Sequence, residues 1–444
     1  MIEQFRDPRL SLWQSAVDET LHRSNPDWTM RPDMAHNDKE GAILREVVQH
    51  CAEAAAKLPF GHPHSAATDL ASLRGIPSAA AFDGHIIGSS ADSIRVAETA
   101  IADGHDQANR LREELNFGNR DPRYLQAVTK YIQYFKLLNQ PIKYVEPKGP
   151  GFSAEAIPDQ CKIALVGDWG TGQQPAIRVL ERIKEHNPDI IIHLGDIYYA
   201  GTEYEAESYF LKIFQSVFGI MSFGKKSRPR VLTMAGNHDM YAGGTGYYWL
   251  LNQIEQDASY FCLRNNHWNF VGVDTGFNDH NPFTVDSEAT CIQSKELEWV
   301  EEQLKAAQGA RTIFLSHHPL FSAFEDIAKA AINYKLLEQV KGLVPQITAW
   351  YWAHEHDQVI YQKYQNVHAR LIGHGAFPIG ANERKTPTHT EIPYSDIRLG
   401  NDGACYNHGY VLITLNGASG KAQYYECAGT EETAILTEQL ESLH

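Results

Sequence analysis

Carboxylates, imidazoles and an amide recur in this sequence where short apolar runs stop. Asp168 follows "KIALVG", and Asp196 follows "IIIHLG". Asn237, His238 and Asp239 follow "VLTMAG". His317 and His318 follow "TIFLS", and His354 and His356 close "AWYWAHEH". An apolar run bounded in this way reads as a buried strand, and loops at the carboxyl ends of strands are where open α/β sheets build sites. Two aspartates delivered to strand ends, joined by imidazoles from other runs, suggest a metal centre.

Taken singly, each residue has a plainer reading. An Asp after an apolar run is commonly a cap or turn residue, and a tyrosine such as Tyr199 commonly packs with its hydroxyl at a rim. Tyr198 competes with Tyr199, and His318 competes with His317. His193 sits inside an apolar run and reads as a core histidine. His62, His64 and His85 match no ligand spacing and read as loop residues. His374, in "LIGHGAFPIG", follows a strand and is a candidate substrate contact.

The elements that must position these residues alternate in type. Strands are expected at 162–167, 189–195, 230–235, 268–274, 312–316, 346–352 and 369–373. Helices are expected at 174–187, 203–219, 294–308 and 325–342. This alternation predicts an α/β domain. Near the end, "GYVLITL" and "KAQYYE" flank "NGASG", a hairpin with a loop expected to exceed two residues. Late antiparallel strands mixed into an α/β part fit a two-sheet β-sandwich covered by helices. Residues 1–145 read as an all-helical N-terminal domain, with helical periodicity at 40–58, a further helix at 90–115 interrupted near Gly104, and one face of apolar residues at 121–138. In the last of these, Asp121 is a cap and Pro122 takes the first helical position. The Pro- and Gly-rich stretch 146–160 reads as a linker, and 161–444 as the second domain.

The chain has 444 residues, 43% hydrophobic and 21% charged, with a formal net charge of −16. That excess of acid argues against nucleic acid as the main partner, since such binding is driven by Lys and Arg. The N-terminus shows no secretory signal, and no apolar run reaches membrane-spanning length. Six cysteines without a C-x-x-C pair read as free thiols. A cytoplasmic location is the expectation, with a small-molecule partner and no membrane. The oligomeric state is not legible.

The ordered set G-D-x-G, G-D-x-x-Y, G-N-H-D, apolar-x-x-H and (G/A)-H-x-H resembles the calcineurin-like metallophosphoesterase superfamily, and within it the purple acid phosphatase branch. The resemblance covers residues 160 to about 427 and leaves the first 145 aside. In the wider superfamily a histidine two residues after the first aspartate binds metal. Gly170 stands there in this chain, and the resemblance puts the tyrosine of the second motif, Tyr199, in its place. It implies two metal ions. The first would be held by Asp168, Asp196, Tyr199 and His356, and the second by Asp196, Asn237, His317 and His354, with Asp196 bridging.

A phenolate favours a strongly Lewis-acidic metal. Iron is therefore expected at the first site with iron, zinc or manganese at the second, and manganese or zinc at both in a reducing compartment. Two ions about 3.5–4 Å apart would acidify a water that attacks phosphorus in line with the leaving oxygen. His238 would contact the phosphoryl group and protonate the leaving oxygen, while Asp239 could orient His238 or cap local backbone. Asn237, His238, His318 and His374 are the candidate substrate contacts. The implied activity is hydrolysis of phosphate esters, with monoesters expected first. A phosphodiesterase acting on a nucleotide is the alternative, and a phosphoesterase fold kept as a non-catalytic scaffold the reading from another class.

Overall fold

Side chains alternate across a strand, so a strand buried on both faces feeds two different cores. That is how β2 (Gln160–Val166) works: Ile163 and Leu165 enter one apolar cluster, and Ala164 and Val166 enter another. The computed structural model describes residues 138–147, 152–282, 289–381, 386–402 and 405–443, with Ala127, Lys130, Tyr131, Tyr134 and Phe135. The chain divides into two compact units, Met1–Gln140 and Pro141–His444. The helices expected at 40–58 and 90–115 lie outside the described residues, as does most of that at 121–138.

The second unit is built on two mixed sheets. One runs in the order β14 (Glu431–Gln439), β13 (Ser419–Ala428), β12 (His408–Asn416), β2, β3 (Ile190–His193) and β4 (Arg230–Thr233). In it β2, β3 and β4 are parallel, and the last three strands pair antiparallel. The other sheet runs β1 (Glu155–Ala156), β5 (Phe261–Arg264), β6 (Trp268–Gly272), β7 (Arg311–Leu315), β8 (Ile347–Trp352), β10 (Ala369–Ile372), β9 (Gln358–Tyr361) and β11 (Tyr394–Ser395). Ile163, Ile192, Leu232 and Val411 of the first sheet share a core with Leu263, Phe270, Ile313 and Tyr351 of the second. The sheets therefore face each other.

Helices cover both outer faces. On the first sheet lie α1 (Gln174–Glu185), the irregular α2 and α3 (Thr245–Gln253). Here α2 comprises Glu203–Glu205, a π-type segment Ala206–Leu211 and Lys212–Phe218. On the second lie α4 (Ser294–Ala306) and α5 (Tyr334–Val340). The expected sandwich flanked by helices is thus present in the second unit. Within 146–160, the part from Phe152 onward is built into it: Phe152 stacks on Trp299 with centroids 5.2 Å apart, and β1 pairs with β5.

Two local expectations fail. The hairpin loop is only two residues, because Asn416 pairs with Ser419 and Gly417 takes a left-handed φ of 59°. The helix expected at 325–342 is confined to Tyr334–Val340. Ala328 and Lys329 adopt positive φ, and Asn333 caps the helix by accepting the Leu336 N–H.

Candidate metal centre

Every residue of the expected set sits just past the carboxyl end of a strand, on a sharply bent loop. Asp168, Asp196, His354 and His356 have φ of 52°, 75°, 76° and 53°. Such left-handed backbone is uncommon outside glycine and tends to gather at functional sites. The neighbouring glycines are dictated by crowding: a Cβ on Gly236 would lie 2.0 Å from Asp196 Oδ1, and one on Gly195 2.7 Å from His317 Nδ1.

The loops bring the side chains into two adjoining corners. In the first, His356 Nε2 lies 3.4 Å from Asp168 Oδ1. The phenol here belongs to Tyr198, whose hydroxyl donates to Asp168 Oδ1 at 2.7 Å and lies 2.9 Å from His356 Nε2. The D-x-x-Y spacing pointed to Tyr199 instead. The Tyr199 ring packs 6.4 Å from both His238 and Phe377, and its N–H is held by Glu205. In the second corner, Asn237 Oδ1 lies 3.2 Å from His317 Nε2 and 3.1 Å from His354 Nδ1. Asp196 joins the corners. Its Oδ2 is 3.4 Å from His317 Nε2, and Asp168, Asp196 and His317 offer donor atoms within 4.8 Å of one another.

Neighbours fix which atom each side chain presents. Asn237 Nδ2 donates to Tyr241 Oη at 2.6 Å, which turns Oδ1 into the site. His317 Nδ1 donates to the Leu194 carbonyl at 2.9 Å, leaving Nε2 as the lone-pair nitrogen. His356 stacks on Phe377 at 4.1 Å. His238 Nδ1 donates to the Tyr199 carbonyl at 2.7 Å. The Asp196 loop is itself gathered by Glu205, whose carboxylate accepts the N–H groups of Tyr199, Ala200 and Thr202 in a capping box at the start of α2.

Three further candidates have the following contacts. His318 lies close to His317 and His354, but its Nδ1 meets Thr275 Oγ1 at 2.9 Å and its Nε2 meets Asp279 Oδ2 at 3.2 Å. His374 is buried against Gly409 of β12. Asp239 contacts backbone: its Oδ2 accepts the N–H of Asp196 and of Gly236. His193 is a core histidine, bonded through Nδ1 to Thr233 Oγ1 at 2.9 Å.

The electrostatics call for cations. Burial opposes ionisation of Asp196, yet His317, His238 and His354 hold its carboxyl well below the ordinary range. Burial also opposes protonation of His317, but the charge and hydrogen bond of Asp196 push it up to about 9. Two carboxylates, an amide oxygen, three imidazoles and a phenol form a donor set of hard and borderline character, which fits zinc, manganese or iron.

Residues 161–358 match the family model described as calcineurin-like phosphoesterase. This segment is a calcineurin-like phosphoesterase domain. Its boundaries take in Asp168 through His356, hence every residue of the two corners. No curated protein matches the chain. Similar solved structures include GAP50, the anchor in the inner membrane complex of Plasmodium, at 14% identity and TM-score 0.43, covering 63% of this chain and 88% of that one. A dimetal phosphatase from Danio rerio shows 12% identity and TM-score 0.41, with 63% and 98% covered. PhoD shows 11% identity and TM-score 0.44, with 65% and 70% covered. In the phosphoesterase domain of this chain, a cleft opens beside His354, lined by Asp279, His318, Glu325, Asp326, Asn333 and Glu355 among others. Among the described residues, no helix is long and apolar enough to cross a membrane.

Proposed function

We propose that the chain is a dinuclear metal-dependent phosphomonoesterase. The observation that carries this reading is the pair of adjoining corners joined by Asp196, within a calcineurin-like phosphoesterase domain. Asp168, His356 and the phenol of Tyr198 would hold one ion, and Asn237, His317 and His354 the other. Bound there, the ions supply an acidified water and neutralise charge on the phosphoryl oxygens.

The chain's own residues do the rest. Asn237 and His317 are pre-turned by Tyr241 and Leu194 and need no reorientation. His238, its ring anchored through Nδ1 on the Tyr199 carbonyl, contacts the phosphoryl group and hands a proton to the leaving oxygen as a general acid. Burial favours its neutral form, so it becomes competent when the phosphoryl charge arrives beside it. The carboxylates lining the cleft at His354 disfavour a polyanionic leaving group. They favour esters of neutral or cationic alcohols over nucleotides.

The test is turnover of a panel of aryl, alkyl and nucleotide phosphates by protein loaded with iron, manganese or zinc. Asn237→Ala should lose at least about 100-fold in kcat, beyond what removal of an outer partner costs. In the iron-loaded protein, a phenolate-to-metal band should vanish in Tyr198→Phe and persist in Tyr199→Phe. Two bound ions without turnover of any monoester or diester would make the domain a scaffold. Preferential turnover of diesters would move the assignment to a phosphodiesterase.

A further inference from the structure

Asp239 is fully buried and meets neither the His238 ring nor open space. Its Oδ2 alone accepts two main-chain N–H groups, that of Asp196 at 3.0 Å and that of Gly236 at 2.8 Å, while Oδ1 has no hydrogen-bond partner among the described residues. The two donors belong to different loops. One is the residue whose carboxylate joins the two corners, and the other immediately precedes Asn237. The far end of the Asp196 loop lies against the same residue, since a Cβ on Gly201 would come 2.5 Å from Asp239 Cα. The loops also meet in return, because the His238 N–H donates to Asp196 Oδ1 at 3.0 Å.

We infer that Asp239 is a positioning residue that fixes the distance between the β3 and β4 loops, and through them the spacing of the two metal positions. This rests on the dinuclear reading above. A role in orienting His238 does not fit, because the imidazole Nδ1 is engaged by the Tyr199 carbonyl. The arrangement needs an acceptor atom and not a charge: one oxygen takes both bonds. Asparagine offers the same carbonyl oxygen, with its amide where Oδ1 now stands unpartnered. Valine fills similar space and offers no acceptor, leaving two buried N–H groups unmet.

The experiment loads full-length wild type, Asp239→Asn and Asp239→Val with Mn2+. It measures stoichiometry and affinity by calorimetry, exchange coupling of the ion pair by electron paramagnetic resonance, and melting by circular dichroism. Asp239→Asn should bind two ions within about threefold of wild-type affinity and keep the coupled signal. Asp239→Val should bind at least one ion about 10- to 100-fold more weakly, as loss of an outer partner does, and lose the coupled signal. Its kcat on an aryl phosphate should fall more than its KM rises. Wild-type affinity and coupling in Asp239→Val would overturn the inference and leave the dinuclear reading standing. So would loss of the coupled signal in a normally melting Asp239→Asn. If Asp239→Val does not fold, Asp239→Asn decides alone, by keeping or losing the coupled pair. A wild-type protein that binds no ion pair overturns both readings.

Discussion

Asp168 and Asp196 are shut away from water, and so are Asp274 and Glu296, yet the two pairs are driven in opposite directions. Around the first pair, burial is outweighed by imidazoles: His356 and His317 hold Asp168 below its ordinary value, and His317, His238 and His354 do the same to Asp196. Around the second pair, burial wins. Asp274 is pushed up to about 6, and Glu296 is raised well above the ordinary range by burial and by Asp274 beside it. Asp274 is relieved by the Phe277 N–H and Glu296 by the Tyr144 hydroxyl. Buried carboxylates are thus a candidate metal cup in one place and a reluctant, proton-seeking pair in the other. The neighbours decide which.

The largest effect should come from removing an imidazole that keeps the first pair ionised. His317→Ala deletes the nitrogen 3.4 Å from Asp196 Oδ2. It should lower metal-dependent kcat by roughly 1000-fold, the scale of losing a key electrostatic group, with one ion lost by elemental analysis. Retention of both ions at full turnover would break the comparison.

Next comes Asp274→Asn. The folded value of about 6 lies above the ordinary 3.8, so the folded state binds this proton more tightly. Its stabilising effect is complete below about pH 4 and is lost as pH rises through 6. Asparagine removes that loss. The variant should therefore be more stable than wild type at pH 8, by up to roughly 3 kcal/mol, and the gain should fade as pH drops toward 4. Denaturant melts at both pH values measure it, and a pH-independent difference would contradict the sign.

Smallest is Tyr144→Phe, which removes the 2.7 Å bond to Glu296. It should cost about 1 kcal/mol of stability and leave turnover unchanged.

Much of this was legible in the sequence, for identifiable reasons. β2, β3, β7 and β8 are nearly continuous apolar runs because both their faces are buried, and each ends at a chemically capable residue. Outer strands were harder. β14 reads "EETAILTEQ", a largely exposed and acid-rich edge with little apolar signal, and β9 is only "QVIY". The helix expected at 325–342 starts only at Tyr334, where Asn333 accepts the Leu336 N–H, a contact the apolar pattern does not encode. In the site, spacing located the loop after β3 but pointed to Tyr199, whereas the phenol beside Asp168 is that of Tyr198. The choice depends on contacts such as Glu205 to the Tyr199 N–H, which no linear pattern encodes. For Asp239 the sequence left open orienting His238 or capping backbone, and its partners are backbone groups 43 and 3 residues away.

The left-handed turns at Asp168, Asp196, His354 and His356 bear on how such a protein can drift over generations. Aspartate, asparagine and histidine are the side-chain-bearing types that best tolerate that twist, and they are also donors to metal. Glycine would relax the chain but contribute no atom, and most other replacements would forfeit the donor and strain the bend together. Each of these four positions therefore screens a mutation twice, which narrows the routes by which the domain could decay gradually into an inert relative.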